Sequence, residues 1–149
     1  MTLHTAQPDG AGKAPAVIVI QEIFGVDPHI ANVASRFADA GFYAVAPELF
    51  HRAGDGTVIP YAETEKAFAE RGKLNNDDIV ADLEATIAYL QANDNVDADN
   101  IGIVGFCFGG FVSYYGSIKV DAIKAAAIFY GGGMLPRPGS PADAPRVLD

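Results

Sequence analysis

Apolar and polar positions along this chain change period repeatedly. Ala16–Ile20 is an unbroken run of mostly β-branched residues, the composition of a strand covered on both faces. Gln21–Val26 reads as a loop containing Gly25. Asp27-Pro28 then has the form of an N-cap and first helical residue, and Ile30, Val33, Ala34, Phe37 and Ala38 follow at helical spacing. Gly41 is placed to close that helix. Phe42–Ala46 predicts a second strand, stopped by Pro47, and the Gly- and Pro-rich stretch from Leu49 to Tyr61 predicts a surface excursion. Ala62–Arg71 predicts a short helix ended by Gly72. Asn76-Asp77-Asp78 supplies a cap and negative charge to a longer one, whose apolar face is Ile79, Val80, Leu83, Ile87 and Leu90. Asn93 to Asn100 reads as a polar turn, Ile101–Val104 as a third strand, Gly105–Gly110 as a tight turn, Phe111 to about Ser117 as a helix and Ala125–Tyr130 as a fourth strand. The mostly polar Met1–Lys13 fits an edge strand followed by a turn at Pro8-Asp9-Gly10.

That order predicts an α/β fold, a three-layer sandwich around a mostly parallel sheet. No repeat or linker divides the 149 residues, so residues 1–149 are expected to form a single domain. The domain is expected to be incomplete. Met134 to Pro145 has no periodicity, and Arg146-Val147-Leu148-Asp149 starts an element that is not continued. Half of the residues are hydrophobic and 19% are charged, enough to bury a core. The apolar run at Ala16–Ile20 is too short to span a bilayer, and no basic region precedes an apolar segment at Met1, so neither a membrane span nor a secretory signal is expected. A net charge of −9 with no cluster of Lys and Arg argues against nucleic acid as a partner. The single cysteine permits no intrachain disulfide and fits a reducing cytoplasm. A lone cysteine is commonly a small buried hydrophobe, so its neighbours decide what Cys107 is.

Those neighbours are Ile101-Gly102-Ile103-Val104-Gly105-Phe106-Cys107-Phe108-Gly109-Gly110. Strand, then Gly-x-nucleophile-x-Gly-Gly, then helix is the form of a nucleophile elbow with Cys in place of Ser. The turn lifts the sulfur clear of the sheet above a helix N-terminus, where the dipole favours thiolate. A Rossmann fingerprint would need Gly where Cys107 stands. A tyrosine-phosphatase loop would need Arg where Ser113 stands. The second signal is Gln21-Glu22-Ile23-Phe24-Gly25, directly after the first buried strand. Loops at the carboxyl ends of parallel strands converge on one edge, so Glu22 and Cys107 should share a side. A carboxylate there can take or restrain the thiol proton, and the N–H groups of Ile23 and Phe108 are candidates for an oxyanion hole. Glu22 alone would be read as a solvated loop residue or one half of a salt bridge. No cluster of His, Cys and carboxylates has metal-ligand spacing, and no nucleotide motif is evident.

Gln21-Glu22-Ile23-Phe24-Gly25, Ala46-Pro47-Glu48-Leu49-Phe50-His51-Arg52, Asp82-Leu83-Glu84-Ala85-Thr86-Ile87 and Gly105–Gly110 together resemble the dienelactone hydrolase family, in order, from about Ala14 to Gly133. The resemblance implies an α/β-hydrolase fold that opens lactones and esters with a Cys-His-Asp triad and no cofactor. It implies Cys107 as nucleophile, Glu22 as the carboxylate that contacts the thiol, and Ile23 and Phe108 as the oxyanion hole. Tyr130, Phe24 and His51 would line the substrate pocket. Arg52 and Arg71 are the arginines near the stretch where the family carries one for the substrate's carboxylate.

In this fold the acid and the His follow the nucleophile, whereas His4, His29 and His51 all precede Cys107. Among them only His51 is expected to approach the site. Asp121, Asp143 and Asp149 do not match the family acid. The chain is therefore expected to be the front part of such a hydrolase, acylating slowly and turning over poorly for want of a base. Two other readings remain open. One is a class I glutamine-amidotransferase-like Cys/Glu protein, although Phe108 stands where its elbow often carries His. The other is a non-catalytic remnant or subunit that self-associates or pairs with a complementing chain through an exposed sheet edge.

Overall fold

The computed structural model describes residues 1–10 and 12–134. The unfinished tail predicted beyond Met134, with Asp143 and Asp149, lies outside the described residues. Five strands form one sheet in the order β1-β3-β2-β4-β5: β1 (Leu3–Ala6), β2 (Ala14–Ile20), β3 (Tyr43–Pro47), β4 (Val96–Phe106) and β5 (Ile123–Phe129). Only β1 runs antiparallel, at the β3 edge. The helices are α1 (Pro28–Asp39), α2 (Thr64–Lys73), α3 (Asn76–Gln91) and α4 (Phe108–Lys119).

β2 shows why the sheet is covered on both sides. Ala14, Ala16, Ile18 and Ile20 face a core shared with α3 and α4, whereas Val17 and Val19 face Ile30, Val33 and Ala34 of α1. A period of two in a wholly apolar strand divides its side chains between two cores. Asp27 caps α1 as expected: its side chain accepts the Ile30 N–H at 2.9 Å with Pro28 next in line. α3 is capped one residue earlier than the sequence suggested, by Asn75 in a reciprocal box with Asp78.

Three expectations are corrected. Gly72 does not end α2, which runs to Lys73. The stop comes at Leu74, which turns extended because its side chain is buried in the core. The polar stretch Asn93–Asn100 is not wholly a turn, since β4 starts at Val96, buried opposite Ala14. Pro15 pairs with Asp97 but Ala16 pairs with Ile101, so the polar residues between them bulge from the ladder. Finally, α4 begins at Phe108 rather than Phe111, inside the predicted tight turn.

Chain order reverses between β2 and β4. β2 leads by α1 to β3 on one side, and β4 leads by α4 to β5 on the other. Neighbouring strands thus send their connections to opposite faces, and a crevice opens at their carboxyl ends. Both chemical motifs stand there. β5 has no strand on its outer side among the described residues, and Ala125–Phe129 are exposed. Two apolar grooves, about 540 and 370 Å³, lie on the α1 side of β4 and β5; neither is lined by Cys107 or Glu22. None of the described helices is long and apolar enough to cross a membrane.

Candidate active site

β4 ends at Phe106 and α4 begins at Phe108, so Cys107 alone makes the turn. Its backbone sits at φ 54° and ψ −115°, a conformation that costs a residue with a side chain on the order of 1–3 kcal/mol. The surroundings hold it there. The Cys107 N–H donates to Phe129 O at 3.0 Å, and its carbonyl accepts from the N–H groups of Gly110 and Phe111 at 3.0 and 3.3 Å. The flanking glycines are required by contact. A Cβ on Gly105 would lie 2.0 Å from Gly109 O, and one on Gly109 would lie 2.5 Å from both Ile20 O and Gln21 O. Without side chains at these points, α4 starts directly against the ends of β2 and β4. Cys107 is left half-buried at the crest, and the Phe108 N–H, first in the helix, has no carbonyl four residues back to bind.

The loop after β2 forms the facing wall. Gln21 is wholly buried and its Oε1 accepts the Leu49 N–H at 3.1 Å, which ties this loop to the end of β3. Phe24 O accepts the Ile59 N–H at 2.8 Å, and a Cβ on Gly25 would lie 2.2 Å from Thr57 O, so the excursion packs tightly on the loop. Ile23 is buried and Glu22 is half-buried.

Tyr130 comes from the third strand end. It adopts a left-handed backbone at φ 41°, and its hydroxyl donates to Glu22 Oε1 at 3.4 Å. Burial, then the charge and hydrogen bond of Glu22, then the charge of Cys107 push its phenol above the ordinary value. Tyr130 thus lies within reach of the charges of both Glu22 and Cys107, and Ile23 and Phe108 directly follow these two in the chain.

His51 is engaged elsewhere. Its Nε2 donates to Asp82 on α3 at 3.1 Å. Arg52 is likewise held by Asp82, at 2.7 and 3.0 Å. His4 bonds Glu48 at 2.6 Å. His29 packs edge-on against Phe106, ring centroids 6.1 Å apart, in the groove on the α1 side that neither Cys107 nor Glu22 lines. Among the described residues, no three of His, Cys, Asp and Glu come together as a metal-ligand group.

Two further side chains stand at the site: Tyr61, which was not singled out from the sequence, and Arg71, which was named there only with Arg52 as a candidate for a substrate carboxylate. Tyr61 packs edge-on against Phe24 at 4.5 Å and donates to Asp27. That hydrogen bond, with burial and the charges of Asp27, Glu22 and Tyr130, pushes its phenol up to about 12. Arg71 lies over the Phe108 ring at 5.2 Å and has no ion-pair partner among the described residues. Neither belongs to a short motif, and only the folding of the excursion and α2 over the elbow brings them in.

Known proteins resemble this chain over most of its length. The model of the dienelactone hydrolase family matches residues 1–146. A Synechocystis protein named "Putative carboxymethylenebutenolidase" is 41% identical over 88% of this chain and 54% of its own length. The "Carboxymethylenebutenolidase" of a Pseudomonas species is 37% identical over 81% of this chain and 51% of its own. A crystal structure from Klebsiella pneumoniae, titled "Putative Dienelactone Hydrolase", superposes with a TM-score of 0.80 at 35% identity, covering 91% of this chain and 55% of that one. The chain thus spans about half the length of the curated relatives it matches.

Proposed function

The chain belongs to the dienelactone hydrolase family, and from that premise we propose that Cys107 is the nucleophile of a lactone or ester hydrolase. The observation that carries this is the strained backbone of Cys107 at the crest of the elbow, flanked by glycines at which an added Cβ would strike backbone atoms. The Cys107 thiolate attacks the carbonyl carbon, and the oxyanion is received by the N–H groups of Phe108 and Ile23. Collapse breaks the acyl C–O bond. In a lactone the expelled oxygen remains on the acyl chain, now as a thioester of Cys107. Glu22 holds the thiol proton, and Tyr130 restrains Glu22. Phe24 and Tyr130 line the pocket, whereas His51 is turned to Asp82. Arg71 is the group for a substrate carboxylate, since Arg52 is consumed by Asp82 and Asp78.

Water must then cleave the thioester, and that step needs a base. His51 and His4 are bound to carboxylates, so we place neither in that role. Acylation slower than that of a full triad, and very poor turnover, are expected of this chain. The test is to incubate the chain with an activated ester and a dienelactone, read intact mass for an acyl adduct, and use Cys107→Ala as control. A stoichiometric adduct on Cys107 without turnover is the expected result. Steady turnover abolished in the variant would overturn the missing-base argument. No adduct at all would overturn the nucleophile assignment and favour a non-catalytic remnant or binding subunit.

A further inference from the structure

Two of the stretches that mark the family play no direct part in the chemistry above: Phe50-His51-Arg52 and Asp82-Leu83-Glu84. The structure joins them. Asp82 lies on the buried face of α3 with 5% of its surface exposed, a place where a carboxylate is tolerated only when paired and hydrogen-bonded. Its pairing is complete. Oδ2 accepts Arg52 Nη1 at 2.7 Å, and Oδ1 accepts Arg52 Nη2 at 3.0 Å and His51 Nε2 at 3.1 Å. Asp78, one turn earlier, adds a second carboxylate 3.4 Å from Arg52. Both gripped residues belong to the 3₁₀ turn His51–Ala53, which is itself closed by Ala53 N–H to Phe50 O at 2.8 Å. The backbone of Phe50 is thereby tied to the turn that Asp82 grips. Phe50 is buried and stacks on Phe108 with ring centroids 6.4 Å apart and planes 13° from parallel.

We propose that Asp82 is a positioning residue of the elbow: through Arg52 and His51 it holds Phe50 against Phe108, and so fixes where the Phe108 N–H points. The proposal rests on the reading of Cys107 as nucleophile and of Phe108 as an oxyanion donor. Asp82 touches no reacting atom. It acts because a donor displaced by about 1 Å can cost on the order of 100-fold in rate.

Two reactions of Cys107 separate this role from a merely structural one. Acylation by p-nitrophenyl acetate develops an oxyanion, whereas alkylation by iodoacetamide does not. In the full 149-residue chain, Asp82→Asn is expected to slow acylation by about tenfold or more, with alkylation changed by less than about twofold. Phe50→Leu should lower the same ratio, and the double variant should show less than the product of the two effects, since both act along one path. Should Asp82→Asn fail to fold, Arg52→Lys keeps the charge but loses the two-pronged grip and should lower the ratio in the same direction. An unchanged ratio in these variants, or independent multiplication of the Asp82 and Phe50 effects, overturns the proposal. A wild-type chain that is alkylated but never acylated overturns the nucleophile reading first, and this proposal with it.

Discussion

Replacing Gly105 by alanine puts the elbow argument to its hardest test. The added Cβ would lie 2.0 Å from Gly109 O, 2.3 Å from Gly109 C and 2.5 Å from Ser113 Oγ. The first two are backbone atoms of α4, so no side-chain rotation relieves the overlap, and the start of the helix must move off β4. Overpacking in cores costs about 1–3 kcal/mol, and a backbone-to-backbone clash belongs at or above the top of that range. Gly102, three residues earlier in the same strand, is the internal control. Its Cβ would meet Ala125 O at 3.6 Å and Ala16 O at 3.9 Å, both ordinary contacts. Alanine there should be neutral or stabilise by about 0.5–1 kcal/mol, because glycine loses more backbone freedom on folding. The assay is urea denaturation followed by circular dichroism, compared at constant m-value. Gly105→Ala is expected to lose about 3 kcal/mol, equivalent to roughly 10 °C in Tm for a chain of this size. The folded fraction should also form the Cys107 adduct more slowly. If Gly105→Ala unfolds within about 1 kcal/mol of wild type, or if Gly102→Ala is equally damaging, the contact argument for the elbow glycines is wrong.

Arg71→Ala should raise the concentration dependence of acylation about tenfold or more for esters carrying a free carboxylate and leave neutral esters almost unchanged, as expected of a lost charge-assisted contact; equal effects on both substrate types would remove Arg71 from the pocket. Glu48 bears on pH. Burial acts to raise its pKa, but the Gly56 N–H at 2.8 Å and the hydrogen bond and charge of His4 outweigh it, and the net shift is downward from 4.5. A depressed carboxylate stabilises the fold above its unfolded pKa, and that contribution fades as pH falls through the lower folded value. Denaturation of the wild type between pH 6 and about pH 3 should therefore show an acid limb that Glu48→Gln flattens; an unaltered limb would show that Glu48 is not its source.

Local signals carried much of this protein in its sequence. The cap at Asp27-Pro28, the helical spacing behind it, the unbroken apolar run Ala16–Ile20 and the Gly-x-Cys-x-Gly-Gly turn all act within a few residues, where covalent geometry and hydrogen-bond reach limit what the chain can do. The β-α alternation added the parallel sheet and, with it, the edge at which the loops carrying Glu22 and Cys107 both emerge. Where local signals misled, a distant partner had decided the matter. Val96 starts a strand because Ala14 stands beside it, and Leu74 ends α2 because the core takes its side chain. The same holds at the site. His51 is the histidine whose position in the chain pointed to Cys107, yet it turns to Asp82, while His29 reaches Phe106 from the start of α1. Tyr61 and Arg71 arrive from the excursion and from α2. Sequence spacing sets which face of an element a residue occupies. Which residues of other elements meet that face is set by how the layers stack, and for side chains thirty or more positions apart that is decided only when the whole core packs.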